Sequence, residues 1–144
     1  MTPNPNPNPN WRTTNKTLQI LAAASAGHYG VLATVAYNTE HILGMIRAAE
    51  LSYSPLIIQF FPWAITFSSG QLIHLASLCA KRASVPVAIH LDHAQDEEMI
   101  KLAAETLPFD SIMVDMSHFE RAENLRRTKE LVGFCHGRGV AAEA

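Results

Sequence analysis

The chain has 144 residues, with 11 Lys and Arg against 13 Asp and Glu, and 48% of its residues are hydrophobic against 17% charged. That is the length of one ordinary domain or of a piece of a larger one, apolar enough to build a core and too apolar for wholesale disorder. A formal charge of −2 with no basic face argues against a nucleic-acid partner. The densest basic stretch, Arg121 to Lys129, is interleaved with Glu123 and Glu130 and reads as a solvated helix face.

Residues 3–10 alternate proline and asparagine, a composition that cannot offset the entropy of ordering, so 1–13 are expected to form a disordered tail and 14–144 the folded domain. Thr14 or Asn15 is placed to cap a helix running through Ala26, with Gly27 just past its end. A rhythm follows. Val31–Tyr37 reads as a strand and Asn38–Leu51 as a helix. Leu56–Phe60 is a second strand, with a helix from Ser69 to Arg82, and Val87–Asp92 a third, with a helix over Asp96–Thr106. Ser111–Asp115 is a fourth, with a helix from Ala122 to His136, and Val140–Ala144 begins a fifth. Near-continuous apolar strands at this spacing suit an α/β protein with a parallel sheet covered on its faces.

No segment predicts a membrane partner. The most apolar stretch, Leu56 to Phe67, contains Gln59 and Pro62 and falls far short of the ~20 residues a spanning helix needs. The N-terminus has no basic region followed by an apolar run, as a secretory signal would. Two cysteines, Cys79 and Cys135, are too few for a disulfide scaffold and lack metal-finger spacing. A reducing, cytoplasmic location is expected.

Polar residues gather where the strands end. Asn38, Gln59, Asp92 with His93, and Asp115 with Ser117 all fall at or just past strand C-termini. Chemistry contributed by every successive strand favours a (β/α)8 barrel, which takes roughly 250 residues, over a doubly wound sheet. The chain supplies four units and a stub. The segment Val87-Ala-Ile-His-Leu-Asp-His93 is the sharpest: three ionisable groups in four residues after an apolar strand are costly unless they meet a metal or each other. Metal binding or catalysis and a hydrogen-bonded His-Asp pair at a barrel rim are about equally favoured by this segment alone. In Ser111-Ile-Met-Val-Asp-Met-Ser-His118, an Asx-type turn at Asp115 is the simpler reading.

Taken with Ala36-Tyr-Asn38, Ser54-Pro-Leu-Ile-Ile-Gln59 and Glu123-Asn124, these two segments resemble the class II, zinc-dependent fructose-bisphosphate aldolases and their tagatose-bisphosphate relatives, from about Thr17 to the last residue. The resemblance implies the N-terminal half, about four and a half units, of a (β/α)8 TIM barrel. It also implies reversible aldol cleavage of a ketose bisphosphate to dihydroxyacetone phosphate and an aldehyde. His93 matches the first zinc-binding histidine, and Asp92 the acid-base group at the bond being cleaved. Asp115 matches a carboxylate near the metal that can hold a second or alternate ion. Asn38 and Gln59 match the wall of the sugar-phosphate pocket.

Departures from the family pattern are local. Phe60, Phe61 and Pro62 follow Gln59 where the family has a serine, and Met116 stands in place of a glycine. Gly139-Val-Ala-Ala-Glu143-Ala144 matches the start of the family's Glu-x-Glu-Leu-Gly strand. A truncated chain, inactive alone, is therefore expected, with zinc as cofactor and a homodimer where the barrel is complete. The alternative is a non-catalytic half-barrel remnant acting through association with another chain.

Overall fold

The computed structural model describes residues 9–144. A single helical turn, α1 (Trp11–Thr14), and a longer helix, α2 (Lys16–Gly27), lead into strand β1 (Leu32–Val35). Then follow α3 (Thr39–Leu51), β2 (Leu56–Phe60), α4 (Pro62–Ser68), α5 (Gln71–Arg82) and β3 (Val87–Ala94), and after them α6 (Glu97–Thr106), β4 (Ser111–Val114), α7 (Arg121–His136) and β5 (Ala141–Glu143). The five strands are parallel and pair in chain order, β1-β2-β3-β4-β5. A doubly wound sheet would reverse its strand order at a switch point. These strands do not, and theirs is the winding of a (β/α)8 barrel.

Strand alternation sorts the side chains onto two faces. Leu56, Ile58 and Phe60, Val87, Ile89 and Leu91, and Ile112 and Val114 join one buried cluster with apolar positions of α3, α5, α6 and α7. In α5 the buried residues Ile73, Ala76, Ser77 and Ala80 recur at helical spacing. Each fully buried Ile or Leu in this layer contributes about 1.5–3 kcal/mol. On the opposite face, Ile57 and Ala88 pack with Ile20 of α2. One register row across that face is polar: Gln59 pairs with His90, and His90 with Ser111.

Helices α2, α3 and α6 begin where the sequence places them, and Asn15, Asn38 and Asp96 each accept the N–H three residues on, from Leu18, His41 and Met99. Two expectations need correction. The tail assigned to 1–13 runs too far, since α1 is helical from Trp11, whose buried ring packs on His136 at 5.1 Å between centroids. Apolar burial of one indole outweighs the composition of its neighbours; residues 1–8 lie outside those described. The stretch after Phe60 is not a loop into one helix but two helices. Pro62 supplies a fixed φ at the first helical position, Ser69 and Gly70 turn left-handed at φ 49° and 78°, and α5 then starts. Gly70 is required there: beyond its positive φ, a Cβ would lie 2.7 Å from Leu107. Among the described residues no helix is long and apolar enough to cross a membrane.

Asn15 links the first helix to the bottom of the sheet. Besides capping α2, its amide donates to the carbonyls of Asp110 at 2.7 Å and Gly139 at 3.1 Å. Replacing it removes the bonds to the Gly139 carbonyl and the Leu18 N–H, and leaves the Asp110 carbonyl with the Ala141 N–H alone. Asn15→Ala is therefore expected to lower the unfolding free energy by about 2–3 kcal/mol, measured by urea denaturation with an unchanged slope.

Candidate active site

Parallel strands in chain order bring all their C-terminal ends to one mouth, and His93 meets Asp115 there because of a defect in the β3–β4 ladder. Leu91 pairs with Ile112, but Ala94 pairs with Val114, so β3 carries one residue more than β4 across that interval. This is a β-bulge, and His93 within it has φ 51°. Bulges re-aim side chains next to sites, and a left-handed non-glycine residue is strained backbone of the kind that clusters there. The strand continues to Ala94 instead of ending at Asp92, so His93 turns inside the strand and not on leaving it.

The bulge sets His93 against Asp115, immediately after β4, with Nδ1 3.1 Å from Oδ2. Asp115 is buried and accepts further hydrogen bonds from Gln95 Nε2 at 3.0 Å, Ser117 N at 3.1 Å and Ser117 Oγ at 2.5 Å. The Asx-type turn expected at Asp115 is formed through one oxygen, while the other holds the imidazole. Hydrogen bonds from Ser117, His93 and Gln95 hold the carboxyl well below the usual carboxylate range. It is therefore an anion, and the proton of the shared bond sits on Nδ1 of His93. The bond to Asp115, aided by the charges of Asp92, Asp115 and Glu143, raises the His93 pKa. Nε2 remains as the ring's donor atom toward a ligand, the arrangement in which a carboxylate orients a metal-binding imidazole.

Asp92 lies half-buried beside this pair, its Oδ1 4.0 Å from Nε2 of His90. His90 is 4% exposed, and its Nδ1 is 2.8 Å from Ser111 Oγ. Gln59, His90, Ser111 and Glu143 line a cavity of about 330 Å³ between α2 and the sheet. Asn38 is not among its lining residues; it is exposed, and its side-chain oxygen is engaged at the start of α3. Phe61, one of the residues after Gln59 that depart from the family pattern, presents its ring to His93 at 6.1 Å between centroids. Met116 turns away into the helix-side core, 1% exposed. Among the described residues no group of three or more His, Cys, Asp or Glu is gathered as a metal shell. The donor set at this mouth fits one imidazole ligand with its orienting carboxylate.

A family profile described as fructose-bisphosphate aldolase class-II matches residues 15–144. This chain belongs to that family. A fructose-bisphosphate aldolase homologue from Coccidioides immitis is 48% identical over 138 residues, which are 91% of this chain and 46% of that protein. A crystal structure of the Coccidioides immitis protein superposes with a TM-score of 0.89 at 48% identity, over 93% of this chain and 52% of that one. The fructose-bisphosphate aldolase of Giardia intestinalis is 40% identical over 130 residues, 88% of this chain and 39% of its own length. The Escherichia coli YdjI aldolase structure superposes with a TM-score of 0.79 at 37% identity, over 85% of this chain and 47% of that one. The chain thus spans less than half the length of the curated relatives it matches, and their structures carry the TIM-barrel fold of class II aldolases. For this family member, sequence reasoning missed Gln95, and it missed Ser111 as a partner of His90. Neither carries a local signal, since both are defined by pairing across strands.

The two pKa shifts act in opposite directions with pH. The raised His93 contributes stability below about 6.5 that is lost as pH rises through its folded value. The lowered Asp115 contributes stability above about 3.9 that is lost as pH falls. In metal-free protein the His93 ring protons should titrate with a midpoint above about 6.5, and Asp115→Asn should bring that midpoint down toward it. A midpoint unmoved by the substitution, read by NMR, would show that the pair is not formed.

Proposed function

We propose that this chain is the N-terminal part of a zinc-dependent class II aldolase that cleaves a ketose bisphosphate reversibly to dihydroxyacetone phosphate and an aldehyde. The observation that carries the reading is the bulge-built group of Asp92, His93 and Asp115 at one strand mouth, in a family member. His93 would hold zinc through Nε2, with Asp115 fixing the ring and bearing the charge beside it. Both oxygens of Asp115 already accept hydrogen bonds, which favours the orienting role over that of a ligand to a second ion. When bound, zinc supplies a Lewis acid that stabilises the negative charge left on the carbonyl and hydroxyl oxygens of the three-carbon product.

The chain's own residues supply the proton transfer. Cleavage requires the C4 hydroxyl of the ketose to lose its proton, and Asp92, adjacent to His93 and half-buried, is the carboxylate for that step. Gln59, in the cavity beside His90, offers amide hydrogen bonds to substrate oxygens. Asn38 enters this reading from its match to the family alone. The remaining zinc ligands and most phosphate contacts are expected on the strands that the longer relatives have and this chain does not span. A soluble enzyme of the cytoplasm, acting as a homodimer, completes the proposal.

The test is zinc-dependent cleavage in a protein carrying the remaining strands. Asp92→Ala should lower kcat by roughly a hundredfold or more with zinc content kept. His93→Ala should lose both zinc and activity, and a chelator should abolish cleavage in the parent. Undiminished cleavage in either variant would refute the roles of Asp92 and His93.

A further inference from the structure

His90 is buried, and among the described residues its Nε2 has no hydrogen-bond partner. On its other side the ring is well held. Nδ1 lies 2.8 Å from Ser111 Oγ, which in turn lies 2.9 Å from Thr17 Oγ1, and both hydroxyl residues are buried. Three elements, α2, β4 and β3, thus converge on one imidazole. Its free nitrogen faces two carboxylates, Glu143 Oε2 at 3.5 Å and Asp92 Oδ1 at 4.0 Å.

The chain of hydroxyls can be ordered in two ways. If Nδ1 carried the proton, the lone pair of Nε2 would face both carboxylates, a repulsive arrangement in a buried setting. If Thr17 donates to Ser111 and Ser111 donates to Nδ1, the proton lies on Nε2 and points its positive end at the anions. Each hydroxyl has one proton and spare lone pairs, so the second order satisfies every group in the chain. Burial lowers the His90 pKa against the pull of Glu143 and Asp92, which keeps the ring neutral so that the tautomer matters.

We infer that His90 is a positioning residue whose tautomer, set by Thr17 through Ser111, presents Nε2–H to Asp92 and fixes that carboxylate for proton transfer. The inference rests on the proposed role of Asp92 as the acid-base group. It adds a coupling between the first long helix and the site, through a side chain that touches no reacting atom. At 4.0 Å the contact with Asp92 is longer than a hydrogen bond. A bridging water or a small rotation of Asp92 would close it.

The tautomer is read directly by long-range proton–nitrogen NMR of the full 144-residue chain, with the His90 signal assigned by its loss in His90→Gln. The expected pattern is a protonated Nε2 and a bare Nδ1. Thr17→Val, which removes the first donor at nearly constant volume, and Ser111→Ala should mix or reverse that pattern, and Thr17→Ser should restore it. The signals of the other histidines serve as the folding control, with Thr17→Val reporting if Ser111→Ala unfolds. A protonated Nδ1 in the parent, or a pattern indifferent to both substitutions, would overturn the inference.

In the barrel-complete enzyme, His90→Asn keeps an amide near Nδ1 and removes the donor at Nε2. It should lower kcat by roughly a hundredfold at little change in KM. His90→Gln, with an N–H near the Nε2 position, should recover most of that loss, and equal kcat in the two variants would also overturn the inference. Absence of cleavage in the parent would count against the aldolase reading alone, because the tautomer is measured without turnover.

Discussion

The contact between His93 and Asp115 depends on one extra residue in β3. Had β3 stayed in register with β4 from Leu91 to Ala94, strand alternation would have sent His93 to one face and its neighbours to the other. The bulge breaks that alternation at a single step, and the φ of 51° at His93 is its backbone signature. Such strain persists only where surrounding structure fixes it. In this chain the fixing groups are the β3–β4 ladder on both sides of the bulge and the carboxylate of Asp115, which takes hydrogen bonds from three different residues.

The ionic character of the site follows from that arrangement. Asp115 is buried, but it is surrounded by donors, and these hold it ionised. Its charge in turn holds the proton of His93 on Nδ1. His90, three residues earlier, stands in the opposite situation: buried among hydroxyls, it is pushed toward the neutral form. Two histidines of one strand are thus set to different protonation behaviour, His93 by its bond to Asp115 and His90 by burial.

The first long helix belongs to the site as well as to the fold. Through Asn15 it holds the turns before β4 and β5, through Ile20 it covers the apolar base of the sheet's inner face, and through Thr17 it reaches Ser111. A helix lying across the start of the strands therefore touches the same row of residues that carries Gln59 and His90. The departures from the family pattern fit around this frame: Phe61 faces His93 with a ring, and Met116 fills the core behind the mouth.

Local chemistry made much of this legible in the chain itself. Apolar runs of five to seven residues, separated by helix-period segments, set the strand-helix alternation, and Asn15 was legible as a cap. The polar residues at strand ends located the mouth, and the His-x-Asp-His segment pointed to Asp92 and His93. The burial of Trp11 was not legible, because its partner His136 is distant in sequence. Nor were the division of the segment after Phe60 into two helices, the bulge, the engagement of Asn38 as a cap, or the pairing of His90 with Ser111. These depend on register and on contacts between elements that only the assembled sheet brings together. The sequence by itself determined which residues have charge and ligand chemistry to offer. Tertiary structure decided which of those groups face one another, since strand pairing sets distances that no spacing along the chain encodes.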